Sequence, residues 1–400
     1  MNNLAGKSFA TRAVHAGERT PPADYRPVST PIWPSVGYLY ESMDDLDAVF
    51  DGSRPGYVYS RYSGPTLAAF QQAVASLEAA PAAQAYASGM AALHAALLVA
   101  GARQGVTIVA ALDMYGATYS LLTGLLSTLG VQSHLVDVSD LAAVEALVQA
   151  TSPRLLLVET ISNPLLKVAD VPRLAEIAHR SGAVLLVDNT FASPYLFNPL
   201  SAGADYVIHS ATKYLAGHGD VLAGVVVTTV ENQSRLFELN KLTGATLGPF
   251  EAWLALRGLK TLPLRMAAQC QNAAQIASWL HGQARIARVN YPGLSAHPQH
   301  ALAASLFAGR GFGGMLSFEI VDAKKEEVFR FMEALQLCLP ATTLGDIYTL
   351  VLHPATSSHR SLTPAERRRV GIADNLVRLS VGIEAVEDIL ADLEQALGQV

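Results

Sequence analysis

Three groups of residues in this chain carry types and spacings that could do chemistry together. Lys213 sits in a polar turn with Ser210 and Thr212, between an apolar run at 206–209 and a β-branched run at 224–227. A lysine presented at a strand end, flanked by hydroxyls and by backbone that Gly217, Gly219 and Gly224 let approach closely, is what an aldehyde needs to be held as an imine. Standing alone, such a lysine reads first as a solvated loop residue. Its meaning depends on what else points at it.

Asp188 ends a second apolar run at 184–188. A carboxylate there can partner the pyridinium nitrogen of pyridoxal phosphate, because a protonated ring is the better electron sink. It can also be a turn or cap carboxylate. Strands of an open, mostly parallel sheet bring their carboxyl ends to one edge, where ligands bind, so Asp188 and Lys213 can face the same molecule. The third group is Ser88, Gly89 and Met90, just before a helical pattern at 91–101. Helix N-termini leave N–H groups unpaired and carry partial positive charge, which suits a phosphate, although Ser-Gly is also a common cap.

These residues fall within an ordered set of motifs: Ser88-Gly89-Met90, Tyr115-Gly116, Glu159 through Asn163-Pro164, Asp188-Asn189-Thr190, Ser210-Ala211-Thr212-Lys213-Tyr214, and Arg378 through Glu384. The set resembles the Cys/Met metabolism family of pyridoxal phosphate enzymes, which includes cystathionine γ-synthase, cystathionine lyases, methionine γ-lyase and O-acetylhomoserine sulfhydrylase. It runs through nearly the whole chain. The resemblance implies an α/β, fold type I aminotransferase-like architecture, with a smaller α+β C-terminal domain. It implies pyridoxal 5'-phosphate as cofactor, bound by Ser88, Gly89, Met90, Asn163, Asp188, Thr190, Ser210, Thr212 and Lys213, with Tyr115 stacked on the ring. Tyr115 and Lys213 are then the proton-moving residues, and Asn163, Thr343 and Arg378 meet the amino-acid substrate. Tyr59 and Arg61 match residues that reach the cofactor phosphate of a neighbouring subunit. The resemblance therefore implies a homo-oligomer with shared sites, usually a tetramer built as a dimer of dimers.

The elements that must position these groups are legible in outline. Residues 1–62 read as an irregular arm, because Pro21, Pro22, Pro27, Pro31, Pro34 and Pro55 block long regular elements. Its Trp33, Tyr38, Tyr40 and Phe50 carry too much apolar surface to float free. A helix is expected near Pro65. Residues 63–255 alternate helical runs with apolar strands at 107–111, 155–159, 184–188, 206–209 and 224–227, the pattern of an α/β layer with a mostly parallel sheet. Asp170 before Val171-Pro172 reads as a helix cap. A long helix over 251–280 should lead into a C-terminal domain, 256–400, closed by an amphipathic helix over 386–397. The glycine-rich run 309–314 precedes a strand instead of opening a helix, which excludes a dinucleotide fingerprint. Arg367 to Arg369, beside Glu366, reads as a solvated helix face. Without the resemblance, Arg378 reads as a salt-bridging residue at a strand edge.

Composition sets the class. With 400 residues, 50% hydrophobic and 16% charged, the chain can bury a large core in two or three domains. A net charge of -6 gives no reason to expect nucleic acid or an anionic membrane as partner. Cys270 and Cys338 form no metal-ligand or redox spacing, and no run reaches the length of a membrane span, so a cytoplasmic protein without a metal is expected.

Departures within the motifs bear on the reaction. Ala117 stands where methionine γ-lyases carry cysteine, and Tyr348 where cystathionine γ-lyases and γ-synthases have glutamate. The long insertions of many O-acetylhomoserine sulfhydrylases fit poorly into 400 residues, although 354–359 resembles their sequence as well as that of the lyases. The reading is γ-elimination on a sulfur-containing amino acid. The alternatives are γ-replacement by a transferase of the same family, and a non-catalytic ligand-binding descendant.

Overall fold

A computed structural model describes residues 27–360 and 362–400. Residues 1–26 of the expected arm, with Pro21 and Pro22, lie outside the described residues. Residues 32–400 carry the architecture below.

Two sheets organise it. The larger has seven strands: β1 (Ala82–Tyr86), β2 (Thr107–Ala111), β3 (Gln132–Val136), β4 (Leu155–Glu159), β5 (Val184–Asp188), β6 (Tyr206–Ser210) and β7 (Gly224–Thr228). Their spatial order is β1-β7-β6-β5-β4-β2-β3. From β3 across to β6 all pairings are parallel, while β7 is antiparallel to both β6 and β1. This is the expected α/β layer with a mostly parallel sheet. The smaller sheet contains β8 (Ile286–Asn290), β9 (Met315–Ile320), β10 (Leu339–Pro340), β11 (Leu350–Leu352) and β12 (Leu376–Ser380), in the order β10-β11-β12-β9-β8.

Runs such as Leu155 to Val158 and Leu185 to Val187 are apolar at every position because the strands are covered on both faces. The helix Gly89–Ala100 packs on β6 and β7, and the helix Val171–Arg180 packs on β5. Asp170 caps the latter, its carboxylate accepting from the Arg173 N–H. Each fully buried leucine or valine contributes about 1.5–3 kcal/mol to this core. A second apolar core joins Ile276, Phe318, Phe331 and Leu393 between the smaller sheet and the closing helix Val386–Leu397. Among the described residues no helix is long and apolar enough to cross a membrane.

Several expectations are corrected. The arm is not wholly irregular: Met43–Phe50 is a helix, started by Ser42, whose hydroxyl accepts from the Asp45 N–H. Its prolines lie outside those eight residues, so they do not prevent it. The single helix expected over 251–280 is two, Pro249–Leu259 and Leu262–His281, divided at Lys260 and Thr261. Pro263 explains the break, since proline lacks the N–H that a continuous helix would need there. Arg367 is not fully solvated, because it donates to the Leu362 carbonyl with its side chain only 16% exposed. The arm does leave Trp33, Val36, Leu39, Met43 and Phe50 exposed in the single chain.

Truncating the fully buried Leu186 tests this core directly. Leu186→Ala should cost about 2–5 kcal/mol, read as a lower urea midpoint, and an unchanged midpoint would contradict the packing described.

Candidate active site

The carboxyl ends of β4, β5 and β6 lie side by side. Glu159 pairs with Asp188, and Asp188 with Ile208, so the turns that follow these strands open onto one edge. A cleft of about 420 Å³ lies there. Its lining includes Ser88, Gly89, Met90, Tyr115, Asn163, Asp188, Thr190, Ser210, Thr212, Lys213 and Arg378. The structure thus brings together eleven of the fourteen residues singled out from sequence. Thr343 joins them through a hydrogen bond: Lys213 Nζ donates to its Oγ1 at 2.8 Å.

Lys213 is held in a turn just after β6. Burial, and next the positive charge of Arg378, push its pKa down to about 8, against the opposing pull of Asp346. About a tenth of a free amine here is neutral at pH 7, against well under a hundredth for an unshifted lysine, and a nucleophile or a base must be neutral.

Asp188 accepts from the Thr190 N–H at 2.9 Å. Burial raises its pKa, while the bonds from Thr190 and the charge of His209 work in the other direction. Thr190 Oγ1 in turn accepts from the Ser210 N–H at 2.9 Å, tying the end of β5 to the end of β6. Such a buried carboxylate gains a favourable partner from any cation set against it.

Ser88 acts as the cap of the helix Gly89–Ala100, its hydroxyl accepting from the Ala91 N–H. The first N–H groups of a helix have no partner within it, and those of this helix border the cleft. The close approach depends on glycine. A Cβ on Gly89 would come within 2.8 Å of the Ser210 Cβ, and one on Gly224 within 2.1 Å of the Ser88 carbonyl oxygen.

Arg378 enters from the smaller sheet on β12, an interior strand between β11 and β9. It is therefore not at a strand edge, and its partners are not carboxylates. Nη1 donates to Asn163 Oδ1 and Nη2 to the Thr343 carbonyl, both at 3.1 Å. Its buried Nε has no hydrogen-bond partner among the described residues. Burial lowers its pKa to about 10, so it stays a cation, with its Nε donor unpaired and offered toward a carboxylate.

Two residues do not join the cleft of the single chain. Tyr59 is 42% exposed, and Arg61 bonds the Lys241 carbonyl while its guanidinium lies over the rings of Tyr62 and Tyr59, 5.0 and 5.4 Å from their centroids. Within one chain the pair stacks on itself. Conversely, sequence reasoning gave no role to Glu159, which lines the cleft and accepts the Tyr115 and Asn163 N–H groups. The same signal that singled out Asp188, an apolar strand ending in a carboxylate, was available for it.

The donor set suits pyridoxal phosphate: helix N–H groups and hydroxyls for a phosphate, a carboxylate for a ring nitrogen, and an amine of depressed pKa for an aldehyde. On this fold the arrangement defines a pyridoxal phosphate-dependent enzyme. Comparison with known proteins gives its family. The chain belongs to the Cys/Met metabolism PLP-dependent enzymes, whose family model matches residues 10–398. It is 41% identical over 397 residues to an O-succinylhomoserine sulfhydrylase of Pseudomonas aeruginosa, covering 99% of this chain and 96% of the relative. It is also 41% identical over 402 residues to an L-methionine gamma-lyase of Pseudomonas putida, covering 99% and 98%. Among solved structures, cystathionine gamma synthase from Xanthomonas oryzae pv. oryzae, in complex with aminoacrylate and cysteine, matches with a TM-score of 0.87 at 38% identity over 93% of each chain. The protein is thus a pyridoxal phosphate-dependent enzyme of sulfur amino-acid metabolism.

Two outcomes follow from this geometry. Only the neutral amine attacks an aldehyde, so cofactor uptake by the apoprotein should accelerate as pH rises and level off above about 8. Stopped-flow uptake rates that keep climbing past pH 10 would show an unshifted lysine. Gly89→Ala should weaken cofactor binding roughly tenfold, about 1.4 kcal/mol of overpacking, measured by titrating the apoprotein. An affinity equal to wild type would mean that the helix N-terminus is not held against Ser210 as described.

Proposed function

We propose that the protein catalyses γ-elimination on a sulfur-containing amino acid, of the methionine γ-lyase or cystathionine γ-lyase type, releasing 2-oxobutanoate, ammonia and a thiol. The observation that carries the reading is the placement of Lys213 Nζ, a partly neutral amine, in one cleft with Asp188, Tyr115 and the free donor of Arg378.

Pyridoxal phosphate, when bound, supplies an electron sink that makes a carbanion at the substrate Cα accessible. Asp188 would hold the ring nitrogen protonated, and Tyr115 would stack on the ring. Ser88, Gly89, Met90, Ser210 and Thr212 would take the phosphate, with Thr190 holding the strand ends in place. Arg378 and Asn163 would fix the substrate α-carboxylate, setting the Cα–H bond toward Lys213. Lys213 Nζ, steadied by Thr343, then takes the Cα proton and moves protons at Cβ, until the Cγ–S bond breaks and the sulfur, taking a proton from the Tyr115 hydroxyl, leaves as the thiol. Hydrolysis of the remaining imine consumes water and yields ammonia and the 2-oxo acid.

Of the two lyase types the cleft lining favours the first, whose sulfur substituent is uncharged. Its charged side chains are Glu159, Asp188, Lys213 and Arg378, each already engaged in the roles above or in bonds to backbone. The rest includes Phe191, Leu222, Leu344 and the hydroxyls of Thr342, Ser357 and Ser358, a surface that accepts a thioether chain. A second reading, γ-replacement on an activated homoserine, is favoured by the similarity to the O-succinylhomoserine sulfhydrylase and by Ala117 in the place of the methionine γ-lyase cysteine. The reading keeps three parts, 1–62 as arm, 63–255 as cofactor domain and 256–400 as C-terminal domain. It keeps a cytoplasmic homotetramer whose Tyr59 and Arg61 serve a neighbouring subunit.

The test is incubation of the holoenzyme with L-methionine alone and with L-cystathionine alone, identifying the oxo acid by mass spectrometry. Formation of 2-oxobutanoate is expected. Pyruvate from cystathionine would mean β-elimination. Turnover only of O-acetyl- or O-succinylhomoserine with an added thiol would establish the transferase instead.

A further inference from the structure

Glu159 is a side chain of the cleft to which the mechanism assigns no step. It ends β4 in register with Asp188 on β5. One of its oxygens accepts from the Tyr115 N–H at 2.8 Å, and the other from the Asn163 N–H at 3.1 Å. A single carboxyl group therefore joins two separate loops, one following β2 and one following β4. Each loop carries a side chain that lines the cleft. The connection continues on one side, since Asn163 Oδ1 accepts from Arg378 Nη1. Tyr115, Asn163 and Arg378 are thus joined in one chain of hydrogen bonds, two of which end on Glu159 and the third on Asn163.

We propose that Glu159 is the positioning residue of this active site, holding the ring-facing Tyr115 and the carboxylate-facing Asn163 in fixed separation so that the cofactor plane and the substrate α-carboxylate are set relative to each other. The proposal rests on the roles given above to Tyr115 and Asn163. Its physical basis is that a carboxyl with both oxygens committed to backbone N–H groups has no rotational freedom left. It also fixes the backbone, so the side chains that it orients need no bond of their own to it. Burial, and then the adjacent Asp188, raise the Glu159 pKa well above the usual carboxylate range. The two backbone N–H groups oppose that rise, and with both oxygens held by them Glu159 serves as a holder of geometry.

Glu159→Gln keeps size and one acceptor but sets an amide NH₂ against one of the two backbone N–H groups. We expect the variant holoenzyme to keep its lysine-linked cofactor absorbance and its thermal midpoint. The KM for the amino acid should rise about tenfold, as for one buried N–H left unpaired. The circular dichroism of the bound cofactor should change as Tyr115 shifts. Unchanged KM and unchanged cofactor dichroism in a wild-type-stable variant would overturn the proposal. Because the variant could fold poorly, a second measurement uses the wild-type holoenzyme alone. Backbone amide exchange should be slow at both Tyr115 and Asn163, and exchange at either position as fast as in exposed loops would equally overturn it. Failure of the wild type to form a lysine adduct at all would remove the proposal together with the reading beneath it. A normal wild-type adduct beside an unaltered Glu159→Gln enzyme removes the proposal alone.

Discussion

The parallel, in-register pairing of β4, β5 and β6 is the constraint on which the rest of the site depends. It sets Glu159 beside Asp188, and Asp188 beside Ile208, two residues before Ser210. A slip of one residue would turn each of these side chains to the opposite face of the sheet. The strands are apolar up to their last residue, so a slip toward the sheet centre would carry Glu159 or Asp188 into the core. Packing and chemistry therefore meet at the same strand ends.

Around that edge the structure gathers charges that water does not screen. Asp188 and Glu159 are raised by burial, while Lys213 and Arg378 are lowered by it. Among the described residues none of the four is paired with a simple surface counter-ion. Lys213 donates to a hydroxyl, Arg378 to an amide oxygen and a carbonyl, and the carboxylates accept backbone N–H groups. Leaving charges incompletely neutralised costs stability, and it leaves them available to a cofactor and a substrate. The smaller sheet contributes Arg378 and Thr343, so the site requires both sheets to be folded and docked.

How far the sequence reveals this depends on the kind of signal. The apolar runs of β2, β4 and β5 are bounded by turns and matched their observed limits, because a doubly covered strand has no polar interruptions. β1 and β3 were missed: Ala82–Tyr86 is mostly alanine, with weak strand preference, and Gln132–Val136 at the sheet edge mixes polar residues. Lys213, Asp188 and Ser88 stood out because each terminates or begins an element. Arg378 was reached only through the family resemblance, since a lone arginine within a strand gives no hint that its neighbours are oxygens from other loops. Glu159 ended a strand as clearly as Asp188 did, but its two bonds go to the backbones of Tyr115 and Asn163, and backbone partners leave no mark on side-chain motifs. Tyr59 and Arg61 illustrate the opposite case, a motif recognised by resemblance whose residues stay outside the cleft of their own chain.

The central claim is that the chemistry of this protein is centred on the strand-end lysine and its buried surroundings. The most direct measurement is borohydride reduction of the holoenzyme, proteolysis and mass spectrometry of the peptides. The account predicts one pyridoxyl adduct, on Lys213. An adduct on any other lysine, with Lys213 unmodified, would contradict it.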